Sequence, residues 1–210
     1  MSLEKRSYDF SIRAEETNEN ELILEGRPII YDSETSLFWC REVIEKGALD
    51  DADLTDVRFM VNHDMDQIPL ARSRNNNKNS TMQLMPDEEG LKIRVRLDGN
   101  NSDARNLYSS IQRGDVSGMS FQFSIEKETW EDLESDMPLR RINKIGTVIE
   151  VSAVTFPAYP DTEIEARNKL ALESARRELE SKRGLLDSER KKRSLEVLKL
   201  KAIALKGDLK

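Results

Sequence analysis

Histidine and cysteine each occur once in the 210 residues, and that scarcity closes off whole classes of chemistry. Cys40 cannot form an intrachain disulfide, so nothing favours passage through an oxidising compartment and a reducing cytoplasm is the expected setting. One His and one Cys cannot build the usual zinc sets, and neither HExxH nor CxxC occurs, so no metal and no cofactor is expected. The glycine pattern that cradles phosphate and the nucleophile elbow GxSxG are both absent. No stretch approaches the roughly 18 apolar residues of a membrane span. The start MSLEKRSYDF lacks the apolar core of a signal peptide. A soluble intracellular protein without a membrane partner is expected.

Charge, by contrast, is abundant and segregated. The chain holds 33 basic and 40 acidic side chains for a net charge of -7. Residues 161–210 carry 14 basic and 10 acidic ones, leaving 19 and 30 for residues 1–160. An acidic body therefore bears a basic tail, and nucleic acid is not an expected partner. The length fits one main domain of about 150 residues with an appendage. The prolines of FPAYPDT end the sheet-like pattern, which places a domain at 1–160 and a helical extension at 161–210.

Short alternating segments fill the body: YDFSIRA (8–14), ELILEGRPIIY (21–31), DVRFMVNH (56–63), LKIRVRL (91–97), MSFQFSI (119–125) and TVIEVSAVTF (147–156). Period-two patterning at this density predicts antiparallel β-structure. In LKIRVRL, Leu91, Ile93, Val95 and Leu97 share one face and Lys92, Arg94 and Arg96 the other. Between the strands, Asn101 or Ser102 can cap a helix with Leu107, Tyr108 and Ile111 on its apolar stripe and Gly114 at its end. The polar stretches 72–81 and 126–138 read as solvated loops. In the tail, Leu172, Leu179 and Leu186 recur every seven residues until Arg193 breaks the series, and Gly184 weakens a helix. Two amphipathic helices, 162–183 and 188–206, are predicted to pack on the body or on a partner.

Any mechanism that needs an imidazole near neutral pH must use His63. The alternation puts it at a strand end, on the face of Val57, Phe59 and Val61. In RGDVSGMSFQF the face shared by Met119, Phe121, Phe123 and Ile125 leaves Ser120 on the other side, with Ser117 in the turn or on the apolar face. Taken alone, both serines read as ordinary turn and strand residues. Glu150 is a carboxylate in a strand otherwise nearly free of charge, so a partner is required: an arginine, a backbone N–H, or an imidazole that it would orient. Cys40 with His63 is a conceivable cysteine dyad, but the apolar surroundings SLFWCREVI favour a buried, inert thiol.

In order along the chain, VNHDMDQIPLARS, RGDVSGMSFQF and VIEVSAVTFPAYPDT resemble the prohead serine proteases of tailed bacteriophages, whose fold is related to the herpesvirus assemblins. The likeness extends upstream through LEGRPIIYDS and REVIEKGALDDA, and so covers roughly residues 8 to 165. Gln122 and Ala71 stand where that family often has glycine. The resemblance implies an α+β, mainly β chain: an antiparallel β-barrel-like protease core with a helical C-terminal extension. It also implies a serine endopeptidase with Ser120 as nucleophile, His63 as general base and Glu150 as the residue orienting the ring. An oxyanion site is expected near Gly118 or in the segment 139–146. The implied substrate is the major capsid protein with its scaffolding segment, processed inside the immature prohead in the bacterial cytoplasm, with self-cleavage. The tail would dock the protease to scaffold or capsid protein, and self-association is compatible with the sequence. The competing expectation is an inactive assembly or scaffolding protein that acts through its helices.

Overall fold

A computed structural model describes residues 3–8, 12–18, 21–37, 39–155 and 166–207. The alternating segments become strands β1 (Leu3–Tyr8), β2 (Arg13–Asn18), β3 (Glu21–Ile30), β4 (Thr35–Leu37), β5 (Cys40–Ile44), β6 (Asp56–Val61), β7 (Ala71–Arg74), β8 (Met82–Asp87) and β9 (Gly90–Asp98). Helix α1 (Ser102–Arg113), strands β10 (Gly118–Glu131) and β11 (Leu139–Val154), and helix α2 (Ala166–Gly207) follow. Where one strand was expected over 8–14, β1 and β2 flank that segment and pair in different sheets. Asn101 caps α1, its side chain accepting from the N–H of Asp103 at 2.8 Å and of Ala104 at 3.4 Å. Gly114 closes the helix in left-handed geometry, φ 81°, which is strained for any residue with a Cβ.

The strands form two sheets. One holds β2-β3-β9-β8 in that order; the other runs β1-β10-β11-β5-β4, with β6 and then β7 added along β11. Strand β11 is long enough to serve two neighbours on one side: Leu139–Ile142 pair with β5 and Glu150–Ala153 with β6. Both pairings are parallel, whereas an antiparallel sheet was expected; the other strand pairs are antiparallel. The two sheets are not closed into the expected barrel. Their facing sides enclose the core instead. Phe121, Phe123, Val148 and Val151 from one sheet meet Leu24, Met82, Ile93 and Val95 from the other, all fully buried. The sheets come into close contact where Gly26 meets Met119: a Cβ on Gly26 would stand 2.3 Å from the Met119 sulfur. That contact seats β10 one residue before Ser120.

A buried ionic cluster ties β1 to its neighbours. Arg6 binds Glu42 and, at 2.5 Å, Glu4; Arg140 binds both oxygens of Glu4 at 2.8 Å, Glu42 at 3.1 Å, and Glu128. Burial by itself pushes the Glu4 carboxyl up, but the charge of Arg6 and the bonds to Arg140 outweigh it and hold the group below its ordinary value.

Two sequence expectations are corrected here. The segment 126–138 is not a loop: Lys127–Glu131 continue β10 and pair with Leu139–Lys144, leaving a short turn at 132–138. Its acidic residues read as solvated, yet Glu128 pairs with Arg140 and Glu131 with Arg141, and Trp130 is buried. The tail is one helix, not two. Gly184 lies inside α2 with open space at its Cβ position, and an internal glycine costs only about 1 kcal/mol relative to alanine. Docking offsets that cost. Ala175 and Leu179 pack into a cluster with Cys40, Trp39 and Trp130, and Arg183 donates to the carbonyls of Leu133 (2.5 Å) and Ser135 (2.9 Å). Among the described residues no helix is long and apolar enough to cross a membrane.

Candidate active site

The imidazole is delivered by a turn rather than a strand. Strand β6 ends at Val61, and Asn62 and His63 both adopt left-handed backbone, φ 51° and 57°. Each such residue costs about 1–3 kcal/mol and persists only where its surroundings enforce it. Here they do. Asn62 N–H donates to Ala153 O (2.9 Å), and Asn62 Oδ1 accepts from the N–H (3.0 Å) and hydroxyl (2.9 Å) of Thr155. Asp64 N–H donates back to Val61 O at 3.0 Å. The turn is thus clamped to the end of β11, and His63 leaves the face of Val57, Phe59 and Val61 on which the alternation placed it.

Its ring meets Glu150. The carboxylate of this fully buried residue accepts from His63 Nδ1 through Oε1 in a short hydrogen bond, and from the Ser152 hydroxyl through Oε2 at 2.5 Å. An ionised carboxylate only accepts, so Nδ1 carries the proton and Nε2 presents its lone pair. Nε2 is itself buried and has no hydrogen-bond partner. The imidazole, rather than an arginine, is therefore the partner that Glu150 required.

Ser120 lies on the adjoining strand. The β10–β11 register sets Ser120 opposite Ser152 and Gln122 opposite Glu150, with the ladder shifting immediately afterwards at Gln122/Phe123. Cross-strand partners share a face, so Ser120, Ser152, Gln122 and Glu150 lie opposite the core side of Phe121 and Val151. The predicted separation of Ser120 from the aromatic face holds. That second face is covered all the same, and Ser120 is 0% exposed. Its hydroxyl donates to the Arg6 carbonyl of β1 at 2.7 Å. The structure thus joins His63 to Glu150, while the Ser120 proton rests on β1 rather than on His63. Ser117 is exposed in the turn before β10.

Two alternatives fall away on geometry. Cys40 sits on β5 under α2, beside the opposite end of β11 from Glu150, and burial pushes its thiol up to about 12. It forms no dyad with His63. The segment 139–146 is likewise remote from Ser120. Ser152 is the residue opposite Ser120, and six residue steps along the strand put Gly146 about 20 Å away. Gly118, two residues before Ser120, is the nearer of the two places expected to hold an oxyanion. Among the described residues no group of three His, Cys, Asp or Glu side chains is placed to hold a metal ion. The residue that the sequence reading missed is Ser152, whose spacing from Glu150 puts both on one face of a strand; that spacing was its only signal.

A profile described as caudovirus prohead serine protease matches residues 8–176. The chain belongs to that family. Over 84 residues it is 38% identical to the prohead protease of Enterobacteria phage HK97, an overlap of 40% of this chain and 36% of that protein. No solved structure gives a significant match. His63, Ser120 and Glu150 all fall within the span assigned to the family; nearly all of β1 and most of α2 fall outside it.

Proposed function

We propose that the chain is a serine endopeptidase that cuts the scaffolding segment of the capsid protein, or a separate scaffold, inside the immature prohead, and that it also cuts itself. The observation that carries this reading is the His63–Glu150 bond with a buried, unbonded Nε2, in a chain belonging to a serine protease family. In the reaction, the Ser120 hydroxyl leaves the Arg6 carbonyl by rotation about its side-chain torsion and turns to Nε2. As Oγ attacks the scissile carbonyl carbon, His63 takes its proton, and Glu150 stabilises the imidazolium that forms. Collapse of the tetrahedral adduct passes that proton to the leaving amine. Water, deprotonated by the same imidazole, then hydrolyses the acyl-enzyme. Backbone N–H groups around Gly118 hold the oxyanion, each worth about 3 kcal/mol.

Co-expression with the capsid and scaffold proteins of the same phage tests the assignment. Processing should persist in the wild type and in Ser117→Ala and vanish in Ser120→Ala. Processing by Ser120→Ala would reject the role of Ser120, and intact proheads assembled around an inactive wild type would favour a scaffolding protein.

A further inference from the structure

Ser152 touches both halves of the base assembly. Its hydroxyl donates to Glu150 Oε2 at 2.5 Å and accepts from the backbone N–H of His63 at 3.2 Å, and the residue is fully buried. A hydroxyl has one proton and two lone pairs. With that proton on the carboxylate and a lone pair on the His63 N–H, the Ser152 side chain is fixed from both sides. We infer that Ser152 is a positioning residue for His63, resting on the reading of His63 as the general base. It acts at two places. Tying down Oε2 fixes the plane of the Glu150 carboxylate, so that Oε1 is left for Nδ1. Holding the His63 N–H anchors a residue whose left-handed backbone has to be enforced by its surroundings. Both effects aim Nε2 at the face of β10 on which Ser120 lies, because Ser152 is the cross-strand partner of Ser120.

A nucleophilic role for Ser152 fits less well. Its oxygen lone pair is engaged by the His63 N–H, and its proton is directed at Glu150 rather than at the imidazole. Nor is the residue mere filling of the strand, since a hydroxyl is superfluous for packing and both of its bonds go to the two groups that must act together. Misplacing a reacting group by about 1 Å can cost a factor of about 100, so the loss of this tether should be read in rate rather than only in stability.

Because His63 is the only histidine, its ring can be watched directly. The full chain is compared as wild type, Ser152→Ala, Ser152→Thr and Ser152→Cys by NMR of the imidazole N–H and by the rate at which a small fluorophosphonate labels Ser120. Wild type and Ser152→Thr should show one slowly exchanging Nδ1–H signal and label at similar rates. Ser152→Ala should lose that signal to solvent exchange and label about 10- to 100-fold more slowly. Ser152→Cys, which fills the site with a weaker donor, should fall between them and decides the matter if the alanine variant does not fold. An unaltered imidazole signal in folded Ser152→Ala overturns the inference, as does a lost signal with undiminished labelling. A wild type that is never labelled, but whose signal responds as described, upholds the positioning role and instead removes Ser120 as nucleophile.

Discussion

Glu150 is a fully buried carboxylate, and both of its oxygens are occupied, one by His63 and one by Ser152. Its charge is therefore devoted to the imidazole. Glu150→Gln keeps the shape but lets the ring settle in the wrong tautomer, and turnover should fall about 10⁴-fold with the fold intact, as amide substitution does in serine-histidine-acid triads generally. Single-turnover assays on the unprocessed form of the proposed capsid-protein substrate would measure it. Glu150→Ala should in addition lower stability by roughly 1–3 kcal/mol for each buried donor it strands, read from the urea midpoint. At this scale the sequence was most legible where a residue was rare or out of place. His63 was the one available imidazole, and Glu150 the one misfit in its strand. Ser152 was invisible because a serine in a strand is ordinary; only the register reveals what its hydroxyl holds.

Strand β1 is tied to β5 and β11 by buried charge. Removing Arg140 leaves Glu4 and Glu42 with Arg6 and takes from Glu128 the arginine it pairs with. Arg140→Ala should destabilise the protein by about 3–5 kcal/mol in denaturant titration. The cluster is also sensitive to acid. Because the folded pKa of Glu4 lies below its unfolded value, its stabilisation is complete above the unfolded value of 4.5. It is lost as pH falls through the folded value. Hydrogen exchange at the β1 amides should therefore accelerate below about pH 4, before the exchange of β9, and should not do so in Glu4→Gln.

Helix α2 offers an optical readout, since both tryptophans of the chain, Trp39 and Trp130, are stacked at 5.7 Å in the cluster beneath it. Leu179→Ala should free the helix and red-shift the tryptophan emission, with a loss of about 2–5 kcal/mol for the buried leucine. The elements were legible in proportion to their apolar alternation. LKIRVRL gave β9 with all four inward residues buried, while 126–131 hid a strand because its acidic residues are paired by arginines across the hairpin, a register that alternation does not show. Gly184 was read as a break because a local propensity could be seen and the docking of α2 could not.

Taken whole, the molecule is an acidic two-sheet body with a basic helix only partly committed to it. Residues 187–200 of α2 are exposed throughout. Ending the chain after Leu186 should leave the tryptophan emission unchanged and shift the thermal midpoint by less than about 2 °C, whereas ending it at 165 would uncover Trp39, Trp130 and Cys40. Two layers instead of a closed barrel, and parallel pairing along β11, could not be read from alternation. Period two fixes which face is buried but neither strand order nor direction.

The parallel ladder that brings β6 beside β11 also sets a timetable. His63 and Glu150 are 87 positions apart, and Ser120 is 114 positions from the carbonyl that holds its proton. A chain growing at about 5–20 residues per second exposes His63 and Ser120 seconds before the strand that joins them leaves the ribosome. Until Ser152 emerges, Glu150 has no complete scaffold and His63 no anchored turn. If His63 and Ser120 act as proposed, a chain built in this order gains the power to cut only once β11 has emerged.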